Sequence, residues 1–190
     1  NVRQGPSLAF NAIDALAERY SDQPIDLLLN NAGIGGPSSD QIFGRMNFDT
    51  FDQVMAVNVK GPMKMCEAFR KHVRASDHKK MVAVSSSQGS IASVGSPMLY
   101  FYRESKAALN MCMVNLAAQV QRRKMIVGLV TPGATATDFI PRSATVLHRS
   151  LVRMAPSSRL YCECRCRWAK SLGPTLPRPP LPDRRLVRGI

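Results

Sequence analysis

Three short apolar runs, each opening into a turn of small or polar residues, set the strongest limit on what this chain can fold into. Ile25-Asp26-Leu27-Leu28-Leu29 empties into Asn30-Asn31-Ala32-Gly33-Ile34-Gly35-Gly36. Met81-Val82-Ala83-Val84 empties into Ser85-Ser86-Ser87-Gln88-Gly89, and Met125-Ile126-Val127-Gly128-Leu129-Val130 into Thr131-Pro132-Gly133. Runs this short and apolar read as buried strands, and the stretches between them are long enough for helices. Strand, helix, strand, helix, strand predicts a parallel sheet in an α/β fold, because parallel neighbours need a crossover connection. In open sheets of this kind the carboxyl ends of the strands face the binding crevice, and that is where the three turns lie.

Between the second and third strands, Tyr102 and Lys106 stand four residues apart and so project from one face of a helix. A phenol ordinarily titrates near about 10, too high for acid/base work at neutral pH, but a fixed ammonium one turn away stabilises the phenolate. The pair can therefore make a proton donor. Tyr100 is the rival tyrosine, but its partner at the fourth position is Glu104, whose negative charge disfavours a phenolate. Asn58 falls in a helix expected over 50–60. Ser85, Ser86 and Ser87 set hydroxyls just past the second strand.

With these pieces in order, the chain resembles the short-chain dehydrogenase/reductase family of NAD(P)-dependent oxidoreductases. Asn30-Asn31-Ala32-Gly33 is similar to that family's Asn-Asn-Ala-Gly turn, and Asn58-Val59-Lys60-Gly61 to its catalytic-asparagine segment. Ser85-Ser86 followed by Gly89 is similar to its serine segment, Tyr102 with Lys106 to its active pair, and Pro132-Gly133 with Thr137 to its nicotinamide-side loop. Gly89-Ser90-Ile91 and the stretch from Tyr102 to Asn110 look most like the sniffer-type and C-factor-type carbonyl reductases.

The resemblance implies roles for these residues. Tyr102 exchanges a proton with the carbonyl or alcohol oxygen while hydride passes between nicotinamide and substrate carbon. Lys106 stabilises the phenolate and holds the cofactor ribose. Ser86 donates a hydrogen bond to the substrate oxygen, and Asn58 holds a proton-relaying water. Ser86 is preferred to its neighbours because it lies three residues before Gly89, although its separation from Tyr102 exceeds the family's usual spacing. Asn31, Ala32, Gly33, Pro132, Gly133 and Thr137 would join Tyr102 and Lys106 in binding NADP or NAD. The substrate would be a small-molecule carbonyl or alcohol.

The implied fold is a partial Rossmann-type doubly wound parallel sheet. A dinucleotide-binding sheet normally begins with a strand, a glycine-rich turn and a helix whose amino end meets the pyrophosphate. No such turn opens this sequence, and Asn1-Val2 is similar to the family's step beside the adenine ring. The first two strands, the glycine turn and the first helix are thus expected to be missing. Residues 7–20 then read as the helix before the first strand present, with Ser7 as N-cap. Loss of the strand that would flank residues 25–29 leaves three leucines on a bare edge, a place for another chain to pair.

The carboxyl end departs from the family. Residues 139–190 carry 11 Lys or Arg against two acids, and seven of the chain's 13 prolines. Low apolar content with prolines and like charges predicts poor order. The division expected is 1–138 as a partial reductase domain and 139–190 as a basic tail, in a truncated or mis-spliced product. Such a tail attracts polyanions nonspecifically, but with only Tyr161 and Trp168 it lacks the aromatic interleaving of a nucleic-acid reader. Cys162, Cys164 and Cys166 lack the paired spacing of a zinc site, and His72, His78 and His148 form no ligand cluster.

No apolar run reaches the roughly 20 residues of a membrane span, and no signal peptide opens the chain, so a reducing, cytoplasmic setting is expected. Leu109, Met113, Leu116 and Val120 make an apolar stripe on the helix of Tyr102. The stripe fits packing on the sheet. The resemblance also makes that helix, and the one around 51–75, a plausible homo-oligomer interface.

Overall fold

The computed structural model describes residues 6–95, 98–132 and 150–152. Gly133, Thr137 and the cysteines of the tail lie outside them.

The three apolar runs form strands β1 (Leu27–Asn30), β2 (Lys80–Val84) and β3 (Ile126–Thr131), paired in parallel in that order. The register sets Leu28, Met81 and Val127 in one row and Asn30, Ala83 and Leu129 in the next. All six are buried. Because side chains alternate across a strand, these rows define one inward face of the sheet. β1 begins two residues later than the apolar run, because the Ile25 N–H goes to the His72 carbonyl and not to a strand partner.

Helices cover that face. They are α1 (Pro6–Arg19), α2 (Phe48–Met55), α3 (Gly61–Ala68), α4 (Arg70–Ala75) and α5 (Tyr100–Val120). Ala17, Cys66, Phe69, Val73, Leu109, Met113 and Val120 join the sheet residues in one core, with Leu116 packed against it. Full burial of a Leu or Met side chain stabilises by about 1.5–3 kcal/mol, so these contacts hold the helices to the sheet. The α5 stripe is therefore a core contact, and Met111, on another side of the same helix, stays exposed.

Three local expectations need correcting. α1 starts at Pro6, so Ser7 lies inside the first turn and is not the N-cap. Proline suits the first helical position, where its missing N–H has no intrahelical partner and its fixed φ is already helical. The helix expected over 50–60 is α2 followed by a π-helical turn, Ala56–Lys60. Lastly, only two of the three leucines of β1 are bare: Leu27 and Leu29 are 49% and 52% exposed, whereas Leu28 points into the core.

A fourth strand, β4 (Ser150–Val152), runs antiparallel to β3, with Leu129 opposite Val152 and Thr131 opposite Ser150. Three residues are too few for alternation to show in the sequence. Among the described residues no helix is long and apolar enough to cross a membrane.

Candidate active site

The carboxyl ends of β1 and β2 place two turns beside α5. Lys106 is buried, and its ammonium donates to the Val84 carbonyl, the last of β2, at 2.9 Å. The same nitrogen sits 5.7 Å from the centre of the Tyr102 ring. Burial lowers the Lys106 pKa from the ordinary lysine value, since a desolvated ammonium is disfavoured. Tyr102 itself is half-buried.

Asn58 is wholly buried and organises the β1 turn. Its Oδ1 accepts the Ile34 N–H at 2.8 Å, while its Nδ2 donates to the Ile34 carbonyl at 2.8 Å and to Ser105 Oγ at 2.9 Å. Ser105 Oγ in turn donates to the Tyr102 carbonyl at 2.8 Å. The π turn re-aims a side chain that regular α-helix would place elsewhere, which is a common use of such bulges. Asn58 thereby ties the 31–34 turn to the first turns of α5.

Gly33 sits over both groups. A Cβ built on it would stand 3.3 Å from Lys106 Nζ and 3.4 Å from Asn58 Oδ1, so a side chain would crowd the space above them. Asn31, Ala32, Gly33 and Ile34 are all exposed, and Pro132 is exposed at the end of β3. The result is an open shelf with a buried ammonium and a buried amide beneath it.

The serine segment is anchored to the same helix. Ser85 is buried and its hydroxyl donates to Asn110 Oδ1, while Asn110 Nδ2 donates to the Gly89 carbonyl at 3.4 Å. Ser86 is half-buried with an extended backbone, and its Oγ accepts the Gln88 N–H at 3.2 Å, capping the short turn Ser87–Gly89. A hydroxyl that accepts there keeps its own hydrogen to donate. Between Gly89 and Tyr102 the chain makes a second short turn, Ile91–Ser93, while the contact of Gly89 with α5 holds the serine segment against that helix.

The structure thus brings Asn58, Gly33, Tyr102 and Lys106 together at one end of the sheet, with Ser86 on the segment bound to the same helix. Sequence reasoning gave no role to Ser105 and Asn110. Both were within its reach: Asn110 lies four residues beyond Lys106 on the Tyr102 face, and Ser105 three beyond Tyr102.

A family model described as short chain dehydrogenase matches residues 6–145. The chain belongs to the short-chain dehydrogenase family. C-signal of Myxococcus xanthus is 29% identical over 132 residues, covering 70% of this chain and 78% of that protein. The 1-hydroxy-2-glutathionyl-2-methyl-3-butene dehydrogenase of Rhodococcus sp. is 31% identical over 130 residues, covering 67% and 55%. Among solved structures, a short-chain dehydrogenase/reductase from Burkholderia multivorans with bound NADP superimposes with a TM-score of 0.65 at 32% identity, covering 73% of this chain and 59% of that one. The carbonyl reductase Sniffer of D. melanogaster also gives 0.65, at 25% identity and 71% and 60% coverage. This short-chain dehydrogenase therefore spans little more than half of several relatives it matches.

Proposed function

We propose that this chain carries the catalytic half of an NADP- or NAD-dependent oxidoreductase that interconverts a carbonyl and an alcohol. The observation that carries the reading is the Lys106 ammonium held 5.7 Å from the Tyr102 ring, under Gly33 and beside Asn58. Its family membership and a matching structure with bound NADP support it. The shelf also fits the cofactor: a Cβ on Gly33 would fill the space above Lys106 and Asn58.

When bound, the nicotinamide supplies or takes the hydride. Tyr102 gives its phenolic proton to the carbonyl oxygen in reduction and takes it back in oxidation. Lys106 stabilises the resulting phenolate and lends a donor to the ribose, with Val84 fixing its direction. Ser86 donates its hydroxyl hydrogen to the substrate oxygen as negative charge grows there. Both N–H groups of the Asn58 amide are engaged, so water would be held on its oxygen side. Asn31, Ala32, Pro132, Gly133 and Thr137 complete the proposed cofactor contacts.

NADPH fluorescence titration of the purified chain tests this directly. Saturable binding that Lys106→Met abolishes is expected, as is a fall in turnover of about 100-fold or more in Tyr102→Phe at saturating cofactor. Full turnover in Tyr102→Phe would refute the proton-transfer role.

A second reading is an inactive polypeptide that acts by pairing with another protein. It is favoured by the exposed Leu27 and Leu29 on β1, whose sole strand partner among the described residues is β2. Absence of NADPH binding together with a concentration-dependent mass would select it.

A further inference from the structure

Gln41 ends the 3-10 turn Ser38–Gln41 and is only 3% exposed. Its Nε2 donates to the carbonyls of Gly35 at 2.9 Å and Pro37 at 3.2 Å, with that of Gly36 at 3.4 Å. Its Oε1 accepts the N–H of Phe101 at 2.9 Å. The partners decide which end is which. Carbonyl oxygens only accept and a backbone N–H only donates, so a turned amide would lose every one of these bonds.

Phe101 is the second residue of α5, one of the amides at a helix start that lack a partner within the helix. Side-chain caps usually come from the residue just before the helix. Here that residue is Leu99, which is left-handed at φ 55° and offers no side-chain bond. Gln41, sixty positions away along the chain, supplies the missing acceptor. Its other partners belong to the loop that continues from Gly33 and Ile34, the same loop that Asn58 grips. Gly36, at φ +71°, lets that loop fold back, and a Cβ there would meet Thr50 Cγ2 at 2.8 Å.

One buried amide therefore joins the shelf loop to the first turn of α5, one residue before Tyr102. We propose that Gln41 is a positioning residue for Tyr102, setting where the phenol stands relative to the shelf and to Asn58. The inference rests on the reductase reading and extends it to a residue that touches neither substrate nor cofactor. Proton transfer requires hydrogen-bond reach, and a displacement of about 1 Å can slow a positioned reaction about 100-fold.

Two variants in the full chain test it. Gln41→Leu removes both ends of the bridge, whereas Gln41→Glu keeps an acceptor for Phe101 and loses the donors to the loop. The expected results for Gln41→Leu are a kcat lowered about tenfold or more, a KM for NADPH within about threefold of the parent, and faster hydrogen exchange at the Phe101 amide. Gln41→Glu is expected to restore protection at Phe101 and to recover part of kcat. Should the leucine variant fail to fold, the nearly isosteric glutamate variant still gives the kcat-against-KM split. Parental kcat in either folded variant, or a loss of activity that merely follows the unfolded fraction, would overturn the proposal. A parent chain that binds no NADPH sinks the reductase reading and any catalytic meaning of Gln41 with it. A rapidly exchanging Phe101 amide in an active parent sinks this proposal alone.

Discussion

Gly89 lies so close to Lys106 that a Cβ on it would stand 2.8 Å from the Lys106 carbonyl carbon and 2.9 Å from the Lys106 Cβ. Neither neighbour is the loose end of a flexible chain, so the serine segment must shift away from α5 if this glycine is replaced. Gly89→Ala is expected to destabilise the fold by about 1–3 kcal/mol, the usual range for overpacking. Urea denaturation followed by circular dichroism measures this, and an unchanged midpoint would mean that the two elements are not in contact in solution.

Lys106 makes the opposite trade. Its burial favours the neutral amine, so its folded-state pKa lies below the ordinary lysine value. Between those two values the unfolded chain binds more protons than the folded one, and stability rises with pH across that window. Below the window the charged group is held at a penalty. Lys106→Met should therefore abolish cofactor binding and turnover while raising stability at neutral pH, with the gain shrinking as the pH climbs toward the ordinary lysine range. Paired thermal melts of the two proteins at neutral and alkaline pH check the sign, and a destabilised Lys106→Met would show that the Val84 contact outweighs desolvation.

Asn58 bonds both the N–H and the carbonyl of Ile34 and reaches Ser105 as well. Truncation to Ala leaves the buried Ser105 hydroxyl and the part-buried Ile34 peptide groups without their partner, which costs about 1–3 kcal/mol. Ser105→Ala removes one link of the chain and should cost less, about 1 kcal/mol. Because the residues share a network, the double variant should lose less than the two single losses combined. Additive losses in a urea double-mutant cycle would separate the two sites.

Burial raises the pKa of the Cys66 thiol to about 11, although Asn30 Nδ2 donates to its sulfur at 3.4 Å and works the other way. The thiolate is the reactive species, so native Cys66 should resist alkylation at pH 8 while the half-buried Cys112 reacts. Stability tied to Cys66 is present below the ordinary thiol value of 9.0 and declines as the pH rises toward about 11, because the unfolded chain loses its proton first. Peptide-resolved mass spectrometry after a short iodoacetamide pulse distinguishes the two cysteines.

Much of the fold was legible because the inward rows of the sheet are written as short apolar runs. Leu28, Met81 and Val127 share a row in the structure, and each belongs to a run that reads as a strand on its own. Tyr102 and Lys106 were legible for a similar local reason, since helical spacing alone puts them on one face. The π turn at Asn58 was not: nothing in Ala56-Val57-Asn58-Val59-Lys60 distinguishes it from regular helix, and the Ile34 and Ser105 partners of its amide lie 24 and 47 residues away. The bond from Gln41 to Phe101 was equally hidden, as its two halves lie sixty residues apart.

By itself, then, the order of residues determined the three parallel strands, the helix that carries Tyr102 and Lys106, and the family to which they belong, because periodicity and short motifs act over a few neighbours. Only the tertiary structure decided that Gly33 overlies Lys106, that Gly89 presses on α5, and that Gln41 caps a helix from a distant loop. The first two depend on how closely backbone segments pack once the chain has closed, and the third on which buried donor finds which acceptor, a bond that water would have satisfied in the open chain.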